Sequence, residues 1–365
     1  MSKPLLALTQ GDPTGVGPET IVGALMRPEI HEVSRTLFVG HPGILARAIE
    51  LRHAHLQIEL IDEHTATSRL DSIQSSPKLI PCLPCGSDDA LAAPVATVDA
   101  RGGQAAYDAL VAAANWALKR KVDGIVTAPL HKAALWRAGH EYPGHTELLA
   151  ELCGVNDFAM MLFLRRDGNG KPDGTFAPHP APLPVRARDF RGLGVVHVTL
   201  HMALADVFQN LSSEAIVSKA KLIDGVMTKL NGTRPHVGVC ALNPHAGEEG
   251  LFGDEESRVI APAVAQAKRL GLSIVGPIPA DTLFLRASQS EFDAVVAMYH
   301  DQGHIAFKLL GMHRAVNITL GLPIVRTSVA HGTAFDLAWQ GRAEITGMIE
   351  AIHVAARLAE GAVSD

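Results

Sequence analysis

Short runs of aliphatic and β-branched residues alternate with longer amphipathic stretches along almost the whole chain. Residues 5–8, 36–39, 123–127, 159–164, 195–200, 237–242 and 294–298 have the length and composition of strands. The clearest helix spans residues 213–230, where Ile216, Ala220, Ile223, Met227 and Leu230 recur at the spacing of one buried face, flanked by Lys219, Lys221 and Lys229. Strands alternating with helices predict an α/β protein with a largely parallel sheet. Two stretches break the rhythm. Residues 61–81 read as a polar surface excursion, and residues 165–194, rich in Pro, Gly and Arg, read as a long loop that is either functional or mobile.

Length and composition narrow the class. A chain of 365 residues has room for two domains, and 47% hydrophobic with 19% charged residues is an ordinary globular balance. No apolar run reaches the roughly 18 residues of a membrane span, and the first residues, MSKPLLALTQGDP, read as a first strand rather than a signal peptide. A net charge of -6 argues against a general nucleic-acid binder, which needs basic residues to neutralise phosphates. Four cysteines make no disulfide framework, so a reducing, cytoplasmic location is expected. Cys82 and Cys85 form a C-x-x-C pair without a second pair or a redox context, and are expected to be incidental thiols.

Candidate chemistry lies in the histidines. His201, His245 and His300 each follow an apolar strand run, at the carboxyl edge where open α/β sheets bind ligands. Three neutral imidazoles at one rim would suit Zn²⁺ or a similar cation with positions left open for substrate oxygens. The alternative is three unrelated surface histidines, and spacing does not choose between the two. His197, on the same parity as His201, is expected to be a satisfied buried or half-buried histidine.

The motifs GDPTGVGPE (11–19), TAPLHK (127–132), PGHTE (143–147), LNPHAGEEG (242–250), PADTLF (279–284), MYHDQG (298–303), VNITLGLPIVRTS (316–328) and HGTAFDLA (331–338) run in order along nearly the whole chain. Together they resemble the 4-hydroxythreonine-4-phosphate dehydrogenase family, including its catabolic 4-phospho-D-threonate and 4-phospho-D-erythronate dehydrogenase relatives. The resemblance implies a two-domain fold like that of the isocitrate and isopropylmalate dehydrogenases, with largely parallel sheets and an active site in the interdomain cleft, shared within a homodimer. The first domain is expected over residues 1–139 plus 337–365 and the second over 140–336. No G-x-G-x-x-G follows a strand, which agrees with a fold lacking the classical dinucleotide fingerprint.

Carried over by motif, the family's metal ligands fall on His201, His245 and His300, and its substrate contacts on His145, Thr146, Lys308, Asn317 and Arg326. Two fixed cations and an amide suit a phosphate monoester. Without the family, Lys308 would be a helix-face lysine and Arg326 an exposed strand arginine. Asp281 and Asp301 are candidate catalytic carboxylates, placed to orient an imidazole or touch substrate, with helix capping the plain alternative for Asp301. His331, Gly332, Thr333 and Asp336 resemble an adenosine-binding loop and are candidate NAD contacts, the alternative being a helix start capped by Thr333. The implied cofactors are NAD and one divalent cation, Zn²⁺ first, with Mg²⁺, Mn²⁺, Co²⁺ or Ni²⁺ as alternatives.

Three features depart from the family pattern. Ala338-Trp339 stands where Ala-Gly is common, residues 165–194 insert a few dozen residues before His201, and HVTLHMAL (197–204) resembles the catabolic relatives. The expected reaction is oxidation of 4-phosphooxy-L-threonine with decarboxylation to 3-amino-2-oxopropyl phosphate. The same chemistry on 4-phospho-D-threonate or 4-phospho-D-erythronate is the alternative. A cis-dihydrodiol dehydrogenase, which would have no use for Asn317 and Arg326, and a noncatalytic phosphate- or metal-binding protein rank below both.

Overall fold

The computed structural model describes residues 3–62, 73–166 and 190–360. Most of the 165–194 insertion therefore lies outside the described residues, as does the middle of the 61–81 excursion. Twelve strands are present among the described residues: β1 (Leu5–Thr9), β2 (Arg35–Gly40), β3 (Gln57–Leu60), β4 (Leu79–Pro84), β5 (Gly124–Thr127), β6 (Ala159–Arg165), β7 (Gly192–His197), β8 (Val237–Cys240), β9 (Ile274–Ile278), β10 (Ala294–Ala297), β11 (Val316–Leu320) and β12 (Arg326–Val329). All seven strands expected from the hydrophobic pattern are found, and the 213–230 helix is observed as Ser213–Asn231. Ser212 caps it by accepting from the Ala215 amide, and Gly232 ends it in the left-handed conformation.

Two compact units make up the chain: residues through Asn156 together with those from Leu322 on, and Asp157–Gly321. The borders expected at 139/140 and 336/337 thus fall instead at 156/157 and 321/322. The reason is packing. Leu148 and Leu149 of the helix His145–Leu152 belong to the same buried cluster as Leu5, Leu37 and Ile125. Strand β12 pairs in parallel with β5, so both segments join the first unit.

In the first unit the strands run β3-β4-β2-β1-β5-β12, with every pairing parallel. Strands β1, β2 and β5 are almost wholly buried, as expected of a parallel sheet covered on both faces. Ile73 is buried and residues 79–84 form β4, so the ends of the expected surface excursion are part of this unit. Cys82 and Cys85 are free thiols pushed up to about 12 by burial, which keeps both protonated.

In the second unit the order is β11-β6-β7-β10-β8-β9. Strand β6 is antiparallel to both neighbours, and β7, β10, β8 and β9 are parallel. This puts the carboxyl ends of β7, β8 and β10, each followed by a candidate histidine, along one edge. Strand β7 stops at His197, three residues short of the expected end. Beyond it the backbone amides of Val198 and Thr199 bond to the carbonyls of Ala297 and Met298 as the chain leaves the sheet. Among the described residues no helix is long and apolar enough to cross a membrane.

Candidate active site

The second unit carries the candidate metal ligands. His300 begins the helix His300–Gly311 directly after β10, and its Nδ1 lies 2.6 Å from Asp301 Oδ1. Asp301 makes no capping bond to the backbone, so of its two expected roles the geometry matches that of orienting the imidazole, with the Nε2 edge directed elsewhere. The rings of His201 and His300 are 5.8 Å apart, and both line a hollow of about 340 Å³ with Leu200, Tyr299 and Asp301.

His245 lines a neighbouring hollow of about 630 Å³ that also contains Asp281 and shares Tyr299 and Asp301 with the first. The structure thus brings His201 and His300 together and places His245 next door. Among the described residues no three His, Cys, Asp or Glu side chains are already gathered to hold an ion. The donor set is chemically right for a borderline cation, being neutral imidazole nitrogen.

That segment is unusual. Five successive residues from His245 to Glu249 have positive φ, between 43° and 79°, and only Gly247 among them is a glycine. Left-handed backbone costs roughly 1–2 kcal/mol per non-glycine residue, so surrounding contacts must hold it. The buried Glu256 carboxylate holds the chain just before it: Oε1 accepts the amides of Leu242 and Asn243 at 2.8 and 2.7 Å, Oε2 accepts Asn243 Nδ2 at 3.0 Å, and a Cβ on Gly247 would lie 2.8 Å from Oε2. Asp281, exposed at the start of the helix Ala280–Ser288, accepts the Thr282 amide through Oδ1 at 2.8 Å. It touches no imidazole through any of its hydrogen bonds.

Sequence reasoning missed how many imidazoles collect here. His304 stacks on His300 with ring centroids 3.8 Å apart, and its Nδ1 lies 3.1 Å from Nε2 of His197. His197 is buried, at 4% exposure. The expectation of a satisfied buried histidine is half met, because its Nδ1 is buried without a hydrogen-bond partner among the described residues. Burial drives His197 down to about 3 and His304 down to about 4, helped by the neighbouring imidazoles and, at His304, by Lys308. The available signal was the spacing of His300, His304 and Lys308, four residues apart on one helix face. Asn317, on β11, has its Oδ1 buried without a hydrogen-bond partner among the described residues.

In the first unit, Arg326 is the charged residue of greatest interest. It is 2% exposed, not the exposed strand arginine its sequence context suggested, and donates through a terminal nitrogen to Thr127 Oγ1 at 2.7 Å. Burial lowers it to about 10, opposed by the Glu147 carboxylate. His145 and Thr146 are the first two residues of the helix that also holds Glu147. Desolvation first, then the nearby Arg326 charge, holds His145 well below the usual histidine range. A buried guanidinium, a neutral imidazole and a helix amino terminus favour an anion.

The 331–336 segment is also in the first unit and is not a helix. Thr333 is buried, and its carbonyl accepts the Val16 amide at 3.0 Å, fastening this loop to the glycine-rich turn after β1. A Cβ on Gly15 would lie 2.8 Å from Thr333, so glycine is what permits the approach. His331 Nδ1 lies 2.8 Å from the Gly332 carbonyl, and Gly332 and Asp336 are exposed. Trp339 keeps a left-handed backbone, φ 58°, at the position where the family commonly has glycine. Its indole folds back to donate to the Pro13 carbonyl at 2.7 Å, its amide donates to Glu19 Oε1 at 2.7 Å, and Arg47 lies 4.3 Å above the ring.

Histidines held neutral in the folded chain but free to charge when unfolded make stability depend on pH. For His145, His197 and His304 the folded pKa is lowered. The unfolded state then binds more protons below about pH 6.5, so stability is complete above that pH and falls as pH drops below it. The limiting slope is about 1.4 kcal/mol per pH unit per group, less for the half-buried His304. Urea midpoints measured from pH 7 to pH 5 are expected to fall steadily, and replacing His197 by phenylalanine to reduce that slope.

The fold is that of a two-unit α/β protein whose histidine-bearing strand ends share one edge. The model of the family described as pyridoxal phosphate biosynthetic protein PdxA matches residues 32–355, and the chain belongs to that family. It is 42% identical to a 4-hydroxythreonine-4-phosphate dehydrogenase of Geobacter metallireducens, over 98% of this chain and 96% of the relative. It is 39% identical to a D-threonate 4-phosphate dehydrogenase of Salmonella typhimurium, over 98% of this chain and all of the relative. The crystal structure of a 4-hydroxythreonine-4-phosphate dehydrogenase from Klebsiella pneumoniae superposes with a TM-score of 0.80 at 37% identity, covering 98% of each chain. Family and fold expected from the motifs are thereby borne out.

Proposed function

We propose that this chain is an NAD- and divalent-metal-dependent dehydrogenase that oxidises, with decarboxylation, a 4-phosphorylated 3-hydroxy acid, 4-phosphooxy-L-threonine first, to 3-amino-2-oxopropyl phosphate. The observation that carries the reading is Arg326: a guanidinium buried to 2% exposure, near neutral His145 and partly offset by the Glu147 carboxylate, is a fixed cation of the kind that recognises a phosphate oxyanion. His201, His245 and His300 would hold the cation, Zn²⁺ or one of Mg²⁺, Mn²⁺, Co²⁺ and Ni²⁺. When bound, that cation lowers the pKa of a hydroxyl and stabilises charge developing on oxygen, while NAD⁺ accepts the hydride.

The chain's own groups do the rest. Asp301 fixes the His300 ring through Nδ1. Lys308, Asn317, Arg326, His145 and Thr146 are the proposed substrate contacts, the first three for the phosphate, whose binding energy positions the reacting carbon. Asp281, on the His245 hollow, is a candidate to touch substrate. His331, Gly332, Thr333 and Asp336 are proposed for NAD, with Thr333 acting through the loop it fastens. A homodimer with a shared active site and a cytoplasmic location belong to the same reading.

A second reading is favoured by the relatives themselves, since the D-threonate 4-phosphate dehydrogenase is nearly as similar as the 4-hydroxythreonine-4-phosphate one. It takes 4-phospho-D-threonate or 4-phospho-D-erythronate as substrate. The test is NADH formation with each of the three acids and each candidate metal ion. Fastest turnover of 4-phosphooxy-L-threonine supports the first reading and fastest turnover of a phospho-sugar acid the second. No NADH from any of them would refute both.

A further inference from the structure

We propose that Gln302 is a positioning residue whose side-chain carboxamide ties the end of β10 to the end of β8 and so sets the span between His300 and His245. This role rests on the metal-dependent reading above and adds to it a residue that acts through the strand ends.

Strands β8 and β10 pair in parallel as far as Val239 and Val296. Beyond that level the link is a side chain. Gln302 Oε1 accepts the Met298 amide at 2.7 Å, and Gln302 Nε2 donates to the Ala241 carbonyl at 2.7 Å. A backbone amide only donates and a carbonyl only accepts, so a single orientation of the carboxamide makes both bonds. The group stands in for a peptide unit inserted between the two strand ends.

This rung completes a row along the rim. Thr199, beyond β7, donates to the Met298 carbonyl through its amide at 3.1 Å and its Oγ1 at 2.8 Å. The Ala241 amide donates to the Ile278 carbonyl of β9 at 2.8 Å. Thr199, Met298, Gln302, Ala241 and Ile278 thus form one hydrogen-bonded row across four strand ends. The candidate ligands hang from it: His201 and His300 stand two residues past Thr199 and Met298, and His245 stands four past Ala241. Gln302 also lines the same hollow as Ala241, His245 and Asp301, so the rung is part of the wall around the His245 ring.

Helix capping is the plain alternative. Gln302 is the third residue of the helix His300–Gly311, from which a glutamine commonly reaches back to an amide ahead of the helix. That role uses Oε1 alone. The Nε2 bond to Ala241, 61 residues earlier and on another strand, is what capping does not require. Gln302→Glu separates the two, because it keeps the acceptor for Met298 and suits a helix amino terminus, yet sets an oxyanion against the Ala241 carbonyl. Gln302→Met removes both bonds.

The experiment titrates the dialysed full-length chain with Co²⁺ and follows affinity and visible absorption. Wild type, Gln302→Met, Gln302→Glu, His245→Ala and His201→Ala are compared, together with each Gln302 variant combined with each histidine variant, and circular dichroism is recorded for all. Gln302→Met is expected to weaken Co²⁺ about 10- to 100-fold, as for other partners that orient ligands, and to change the absorption as an imidazole is lost. His245→Ala should then cost little more in the Gln302→Met background, whereas His201→Ala should keep most of its cost. The same coupling is expected for Gln302→Glu, which decides the question should the methionine variant fail to fold. Wild-type Co²⁺ affinity in folded Gln302→Met, losses that simply add for Gln302 and His245, or a wild-type spectrum in Gln302→Glu would overturn the proposal and leave the metal reading standing. If wild type takes up no Co²⁺, or neither histidine variant alters its uptake, the metal reading fails as well.

Discussion

Replacing His300 by alanine is expected to reduce turnover by about 10³-fold or more, because the loss of a cation that stabilises developing negative charge removes several kcal/mol. Bound metal after dialysis should fall with it. His300 is the most exacting of the three candidate ligands to remove. Its ring is oriented by Asp301 at 2.6 Å, adjoins His201 at 5.8 Å and supports His304 at 3.8 Å. Replacing Asp301 by asparagine should give a milder version of the same defect, with weakened metal affinity, since orienting partners typically contribute 10- to 100-fold. Full activity of His300→Ala under strict chelation would remove the metal from the reaction. Retained metal with lost activity would instead assign His300 to the substrate.

The same residues show what could be read from the sequence and what could not. Strand positions were legible because β1, β2, β5 and β10 are almost wholly buried and appear as predominantly apolar runs. β3 was not, since Gln57–Leu60 is largely exposed and carries no such run. The unit border was misplaced because the helix His145–Leu152 owes its allegiance to long-range packing by Leu148 and Leu149, which no local pattern encodes. His201, His245 and His300 were found by their place after strands, but the left-handed turn that carries His245 follows residues 242 and 243, whose amides are held by Glu256 from more than ten residues later. His304 was passed over because a histidine inside a helix looks like any other polar residue until the stacking partner is known. Strand context alone would leave Arg326 exposed, and only the family motif marked it as a substrate contact; its burial in β12, paired with β5, is a long-range feature.

Arg326 gives the second large effect, and it separates binding from stability. Replacing it by methionine keeps an unbranched side chain, though a shorter one, and removes the charge. Replacing a whole buried ion pair by apolar side chains often leaves stability unchanged or raises it, and removing one partner is costly mainly when the other stays buried, whereas Glu147 is only half-buried. The melting temperature of Arg326→Met is therefore expected to hold or increase, although Thr127 Oγ1 loses the 2.7 Å donor it now accepts. The effect on catalysis runs the other way. Losing one charged partner of a buried anion costs about 2–5 kcal/mol, which is roughly 30- to 5000-fold in kcat/KM for a phosphorylated substrate. His145 supplies an internal check, because its depressed basicity owes part of its shift to the Arg326 charge. In the methionine variant the His145 pKa, followed by NMR, should move up towards the ordinary range. A variant that melts far below wild type would make Arg326 a structural cation. A well-folded variant with unchanged kcat/KM would take the phosphate away from this arginine and return the substrate class to question.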